Sequence, residues 1–133
     1  MTLEVPPMTA GEAHELLGSC FSPLTGCLPS VEELEEDLCF NRILVSGGEG
    51  LLRFSGGRIA EIRHLAVVET ARGKDIAQSL VARFNTRTAD RRALVWTGVD
   101  NSAALHVYEK AGFVPDGWRS VVLIANETEI TKV

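Results

Sequence analysis

The stretch EIRHLAVVETARGKDIAQ, residues 61–78, decides how the chain folds. It holds the end of a β-like run, a turn through Arg72, Gly73 and Lys74, and the start of a helix. The first backbone N–H groups of that helix have no partner inside it and sit at the positive end of its dipole. Arg72 and Lys74 add two positive charges beside them. Such a junction is suited to a phosphate or pyrophosphate. An ordinary turn with Gly and Lys for flexibility and solubility has the same composition.

The surrounding pattern gives this junction its context. Downstream, Ile76, Leu80, Val81 and Phe84 recur at helical spacing, so a helix is expected over residues 74–89. Residues 92–99 form an apolar, β-branched strand, and residues 102–111 a helix closed by Gly112. Residues 118–125 and 129–133 read as a last pair of strands across a turn at 126–128. Upstream, residues 42–46, 51–55 and 58–68 are β-like runs separated by GGEG and by Gly56 and Gly57. They form an antiparallel meander. Before them, Thr9 with Glu12 and Ser30 with Glu33 have the spacing of capping boxes. Short helices are therefore expected over residues 10–17 and 31–39. The order is ααβββαβαββ, an α/β (α+β) fold with a mixed, mostly antiparallel sheet of about six to seven strands flanked by about four helices. The β-α-β unit in it places a ligand at strand ends beside a helix N-terminus. Val121, Val122 and Ile124 read equally as core or as an edge that would pair with a second copy of the chain.

A chain of 133 residues supports one domain spanning 1–133, with a core large enough to need no staple. Hydrophobic residues at 45% and charged residues at 23% exclude a disordered chain. No apolar run reaches membrane-spanning length, and the first ten residues lack a secretory pattern. Cys20, Cys27 and Cys39 form no CxxC, and His14, His64 and His106 show no ligand spacing. No disulfide scaffold and no metal are expected, and the location is cytoplasmic. The net charge of −5 is unevenly spread. Residues 1–40 hold eight carboxylates and no Lys or Arg, while residues 41–133 hold all thirteen basic residues against ten acidic ones. An acidic front third argues against nucleic acid as partner. It is either a solvated helix surface or a field that attracts a cationic partner.

A second segment, NSAALHVYEKAGF at residues 101–113, places Asn101 at a helix start and Tyr108, the only tyrosine, two turns later. Arg72 through Ala77 is similar to motif A of the GNAT superfamily of acetyl-CoA-dependent N-acetyltransferases, R/Q-x-x-G-x-G/A. Residues 101–113 resemble its motif B, N-x-x-A-x-x-x-Y-E-K-x-G-F, almost throughout. The element order is also the family's, and the resemblance covers residues 42–125. Only residues 3–5 are available for the family's first strand.

The resemblance implies acetyl-CoA as acetyl donor, with no metal. It implies that the strands at 58–68 and 92–99 splay apart, with the pantetheine arm pairing to Leu65, Ala66 and Val67. The pyrophosphate would lie on Arg72, Gly73, Lys74, Asp75, Ile76, Ala77 and Gln78. Asn101 would touch the CoA arm, and Tyr108 would protonate the leaving thiolate. Glu61 resembles the family's strand glutamate and is the candidate base, with His64 and His106 as alternatives. The strand at 92–99 offers Trp96 where other subfamilies place a base. By two-residue alternation Glu61 is expected on one strand face with Arg63, Leu65 and Val67, unless a bulge intervenes. The acceptor would be a small-molecule amine or a protein amino group, with no nucleic acid and no membrane. Asp75 stands where motif A has Gly. Two readings follow: an N-acetyltransferase whose Asp75 turns away or pairs with Lys74 or Arg72, or an impaired module that keeps a CoA- or protein-binding role.

Overall fold

A computed structural model describes residues 8–20, 28–97, 102–115 and 121–125. Two capping boxes start its first two helices. In α1 (Ala10–Ser19) the Thr9 hydroxyl accepts the Glu12 N–H at 3.1 Å, and the Glu12 carboxylate accepts the Thr9 N–H at 3.0 Å. Ser30 and Glu33 repeat the arrangement at the start of α2 (Val31–Cys39). Each box satisfies N–H groups that the first helical turn cannot. The buried stripe of α1 is Ala10, Ala13, Leu16 and Leu17, spaced for one helix face.

The period then changes to that of strands. Strands β1 (Ile43–Ser46), β2 (Gly50–Phe54) and β3 (Ile59–Val67) form the antiparallel meander. A 3-10 turn (Glu69–Ala71) leads to α3 (Ile76–Arg87). Strand β4 (Arg92–Thr97), α4 (Ser102–Lys110), β5 (Val114–Pro115) and β6 (Val121–Ala125) follow. The six strands are ordered β1-β2-β3-β4-β6-β5, with β3 and β4 parallel and every other neighbouring pair antiparallel. The expected order ααβββαβαββ is the observed one.

Three local expectations are corrected. Helix α3 begins two residues late because Asp75 takes a left-handed conformation, φ +60°, that no helix continues through. The strand Val121–Ala125 pairs with Val114–Pro115, a two-residue strand just after Gly112 that its proline disguises. Residues 126–133 lie outside the described residues, as do residues 3–5 proposed for a first strand. Strand β6 is also no edge: β4 flanks it on one side and β5 covers Leu123 and Ile124 on the other.

Each face of the sheet carries its own core. On one, Leu52, Phe54, Ala60, Ile62 and Val95 pack beneath Leu80, Val81 and Phe84 of α3 and Tyr108 of α4. On the other, Val45, Leu51 and Ala66 pack beneath α1 and Leu34 of α2. Gly50 lets α3 come close, since a Cβ there would stand 2.7 Å from Ile76 Cγ2.

A β-bulge interrupts β3. Phe54 pairs with Ile62 but Arg53 pairs with His64, leaving Arg63 as the extra residue. The bulge exchanges the faces. Ala60 and Ile62 belong to the core under α3 and so does Leu65, while Ala66 belongs to the core under α1 and α2. Glu61 therefore does not share a face with Leu65 and Val67, as simple alternation predicts. It lies on the α1–α2 face with His64 and Ala66.

Asp37 ties α2 to the meander. It is only 5% exposed, and its two oxygens accept Nε of Arg42, at 2.8 Å, and Nε of Arg53. Removing one member of a buried ion pair leaves charge without compensation, at a typical cost of about 3–5 kcal/mol. The arginine side chains keep 23% and 13% of their exposure, so water offsets part of this. Asp37→Asn is expected to cost about 3 kcal/mol, read as a lowered urea midpoint. An unchanged midpoint would show that the pair contributes nothing net.

Candidate active site

The parallel pairing of β3 and β4 runs from Ile59 opposite Arg92 to Ile62 opposite Val95 and goes no further. Beyond the bulge, His64 to Val67 pair only with β2. The Val68 N–H donates to the Glu49 carbonyl on the β2 side. Two-residue alternation then aims the backbone groups of Ala66 and His64 at β2, and those of Leu65 and Val67 at the opening toward β4. An extended chain with amide groups can pair there as a further strand would. In this structure the Val67 carbonyl accepts the Arg72 Nε at 3.2 Å and the Cys20 thiol at 3.5 Å.

Beside the opening lies the start of α3. Its first N–H groups, on Ile76, Ala77 and Gln78, have no helical acceptor. Gly73 has φ +84° and Asp75 φ +60°, both left-handed. Asp75 is the N-cap, yet its side chain makes no capping hydrogen bond. Aspartate is among the few non-glycine residues that tolerate this region. Neither expected neighbour pairs with it. Lys74 Nζ lies 4.0 Å from a Glu49 carboxylate oxygen, and Arg72 folds back to Val67. The Asp75 side chain instead lines a groove between α3 and α4, with Gln78, Ser79, Asn85 and Lys110.

Tyr108 is 5% exposed and sits in the core under α3 and α4, its ring 5.7 Å from that of Phe113. Burial pushes its phenol pKa above the ordinary value, because the ionised form would be poorly solvated. The group is therefore a neutral hydrogen-bond donor at every physiological pH. Glu61 is half-buried, and Ser55 anchors its backbone: the Glu61 N–H donates to the Ser55 hydroxyl at 3.0 Å, and its carbonyl accepts the Ser55 N–H at 2.9 Å. His106 is exposed on α4. Asn101 lies outside the described residues. No group of three His, Cys, Asp or Glu side chains among the described residues is placed to hold a metal. No described helix is long and apolar enough to cross a membrane.

The structure thus brings Leu65, Val67 and Arg72–Gln78 to one opening, with Glu61 on the strand that forms it, while β2 takes up the backbone groups expected from Ala66. It also adds residues that sequence reading passed over. Arg53 faces His64 across β2 and β3, and its Nη1 lies 3.4 Å from the His64 Nδ1. No local spacing signals a contact that depends on the register of two strands and on a bulge.

The sheet thus opens between two parallel strands, with the start of α3 at the mouth of the opening. The chain belongs to the GNAT acetyltransferase family: the sequence profile of the Acetyltransferase (GNAT) domain matches residues 33–115. No curated protein sequence matches the chain. Among solved structures it is similar to the PaiA N-acetyltransferase of Thermoplasma acidophilum in complex with coenzyme A, at 15% identity and a TM-score of 0.69, over 93% of this chain and 98% of that one. It is similar to the ribosomal-protein-S18-alanine N-acetyltransferase of Escherichia coli, at 14% identity and a TM-score of 0.64, over 86% and 84%. A NatC complex bound to Gag peptide and CoA matches at 22% identity and a TM-score of 0.65, over 90% and 91%. At these identities the likeness is one of fold.

Proposed function

We propose that this chain is a cytoplasmic N-acetyltransferase that moves the acetyl group of acetyl-CoA to a primary amine, on a small molecule or a protein. The observation that carries the reading is the opening between β3 and β4, with Leu65 and Val67 aimed into it beside the start of α3. The pantetheine arm pairs with Leu65 and Val67, and displaces Arg72 from the Val67 carbonyl. The freed Arg72, with Lys74, Gly73 and the N–H groups of Ile76, Ala77 and Gln78, then takes the pyrophosphate. A backbone N–H at the open edge polarises the thioester carbonyl. Glu61 accepts a proton from the amine, directly or through water, so that nitrogen has a lone pair with which to attack. The carbon–nitrogen bond forms, the carbon–sulfur bond breaks, and Tyr108 gives its proton to the departing thiolate.

Asp75 is the local obstacle, because it adds a negative charge beside the proposed diphosphate seat, although it lines the groove between α3 and α4. Two like charges about 4 Å apart repel by about 1 kcal/mol in water and by several times that out of it. Asp75 is exposed, so the lower figure applies. Asp75→Gly is expected to tighten acetyl-CoA about fivefold, with little change in stability: glycine relieves the left-handed strain but adds freedom to the unfolded chain. Calorimetry of both proteins tests this together with the donor assignment. Ligand at about 100 times Kd should raise stability by roughly 2.7 kcal/mol. Binding by the glycine variant alone would make the chain an impaired module that serves a protein partner. Binding by neither would sink the donor assignment.

A further inference from the structure

The two side-chain cations beside the start of α3 both have partners in this structure, and one partner takes no part in the steps above. Arg72 bonds the Val67 carbonyl, while the Lys74 Nζ lies 4.0 Å from a carboxylate oxygen of Glu49. Glu49 is the last residue of the turn between β1 and β2, just before Gly50, on which Ile76 of α3 rests. Its main chain is held on both sides. The Glu49 N–H donates to the Ser46 carbonyl at 3.0 Å, and the Glu49 carbonyl accepts the Val68 N–H at 2.9 Å. The turn thus carries a carboxylate to the end of β3, next to the loop that leads into α3. The two side chains keep 51% and 64% of their exposure, so the contact is weak and readily exchanged for a stronger one.

We infer that Glu49 sets the affinity of the site for its donor by holding Lys74. The diphosphate gains that cation only in exchange for the Glu49 contact. Glu49 is therefore a positioning residue, which acts on the donor through Lys74. The exchange falls on every ligand that carries the diphosphate. Acetyl-CoA and the product CoA are weakened alike, and CoA leaves sooner than it otherwise would. A thioester that ends before the diphosphate is untouched. This rests on the acetyl-transfer reading, and on its assignment of the diphosphate to the start of α3.

The test is calorimetry in low salt, with acetyl-CoA and with CoA, of wild type and Glu49→Gln. The pair is also measured with Asp75→Gly in both proteins. Glutamine keeps both main-chain hydrogen bonds and removes only the charge. Glu49→Gln is expected to lower both Kd values by about three- to fivefold, the range open to an exposed ion pair. In a Lys74→Met background the same change should alter them by less than about twofold, because the residue through which Glu49 acts is gone. In about 1 M salt, where charges are screened beyond about 3 Å, the difference should disappear. Acetylpantetheine, which lacks the diphosphate, should compete equally with both proteins. Equal Kd values for acetyl-CoA, the same tightening in Lys74→Met, or a matching gain for acetylpantetheine would each overturn the inference alone. Failure of all these proteins to bind acetyl-CoA would overturn the donor assignment and this inference with it.

Discussion

If Tyr108 is the general acid proposed above, Tyr108→Phe is expected to lower kcat for acetyl transfer by roughly a hundredfold or more, the usual range for losing a positioned general acid, with acetyl-CoA still bound. The change removes one oxygen from a ring packed against Phe113 and leaves the rest of the core in place. Without the phenol proton, the thiolate must leave as an anion in a poorly solvated site. The same burial makes a second readout. Because the phenol pKa is raised in the folded chain, the wild-type rate should show no loss from its ionisation near the ordinary value of about 10. Below that pH the folded and unfolded chains are both neutral at this residue. Above it only the unfolded chain ionises, so stability falls as pH rises. Tyr108→Phe should remove that part of the alkaline decline. A variant with wild-type turnover would reduce Tyr108 to a packing residue.

The second large effect concerns Glu61. Glu61→Gln keeps shape and removes proton affinity, so kcat/KM for the amine should drop by about two orders of magnitude. The side chain occupies the α1–α2 face, away from Tyr108, so in the proposed mechanism the proton would leave the amine on one side of the sheet and reach sulfur from the other. Turnover within twofold of wild type would place the base elsewhere.

Much of this was legible in residue order, because its causes are local. The pairs Thr9–Glu12 and Ser30–Glu33 announce helix starts through contacts three residues long. The junction at residues 72–78 and the tyrosine in YEKAGF stand out for the same reason. The bulge at Arg63 did not, since no glycine marks it and only the register against Arg53 and Phe54 reveals it. One inserted residue was enough to invert the expected surroundings of Glu61. The Asp37–Arg53–His64 contacts were hidden for a related reason: they join α2, β2 and β3, and depend on which faces those elements present. Asp75 was visible as a departure, but its left-handed backbone was not.

Gly50 has a consequence for ligand choice. The missing methyl lets Ile76, the first residue of α3, rest directly on β2. It thereby sets the span between that helix start and the strand edge at Leu65. Under the proposed function that span would work as a caliper: a coenzyme A thioester would fit when its pantetheine arm bridges the two points, and a shorter thioester would reach only one of them. Specificity for the donor would then be written in a side chain that is not there.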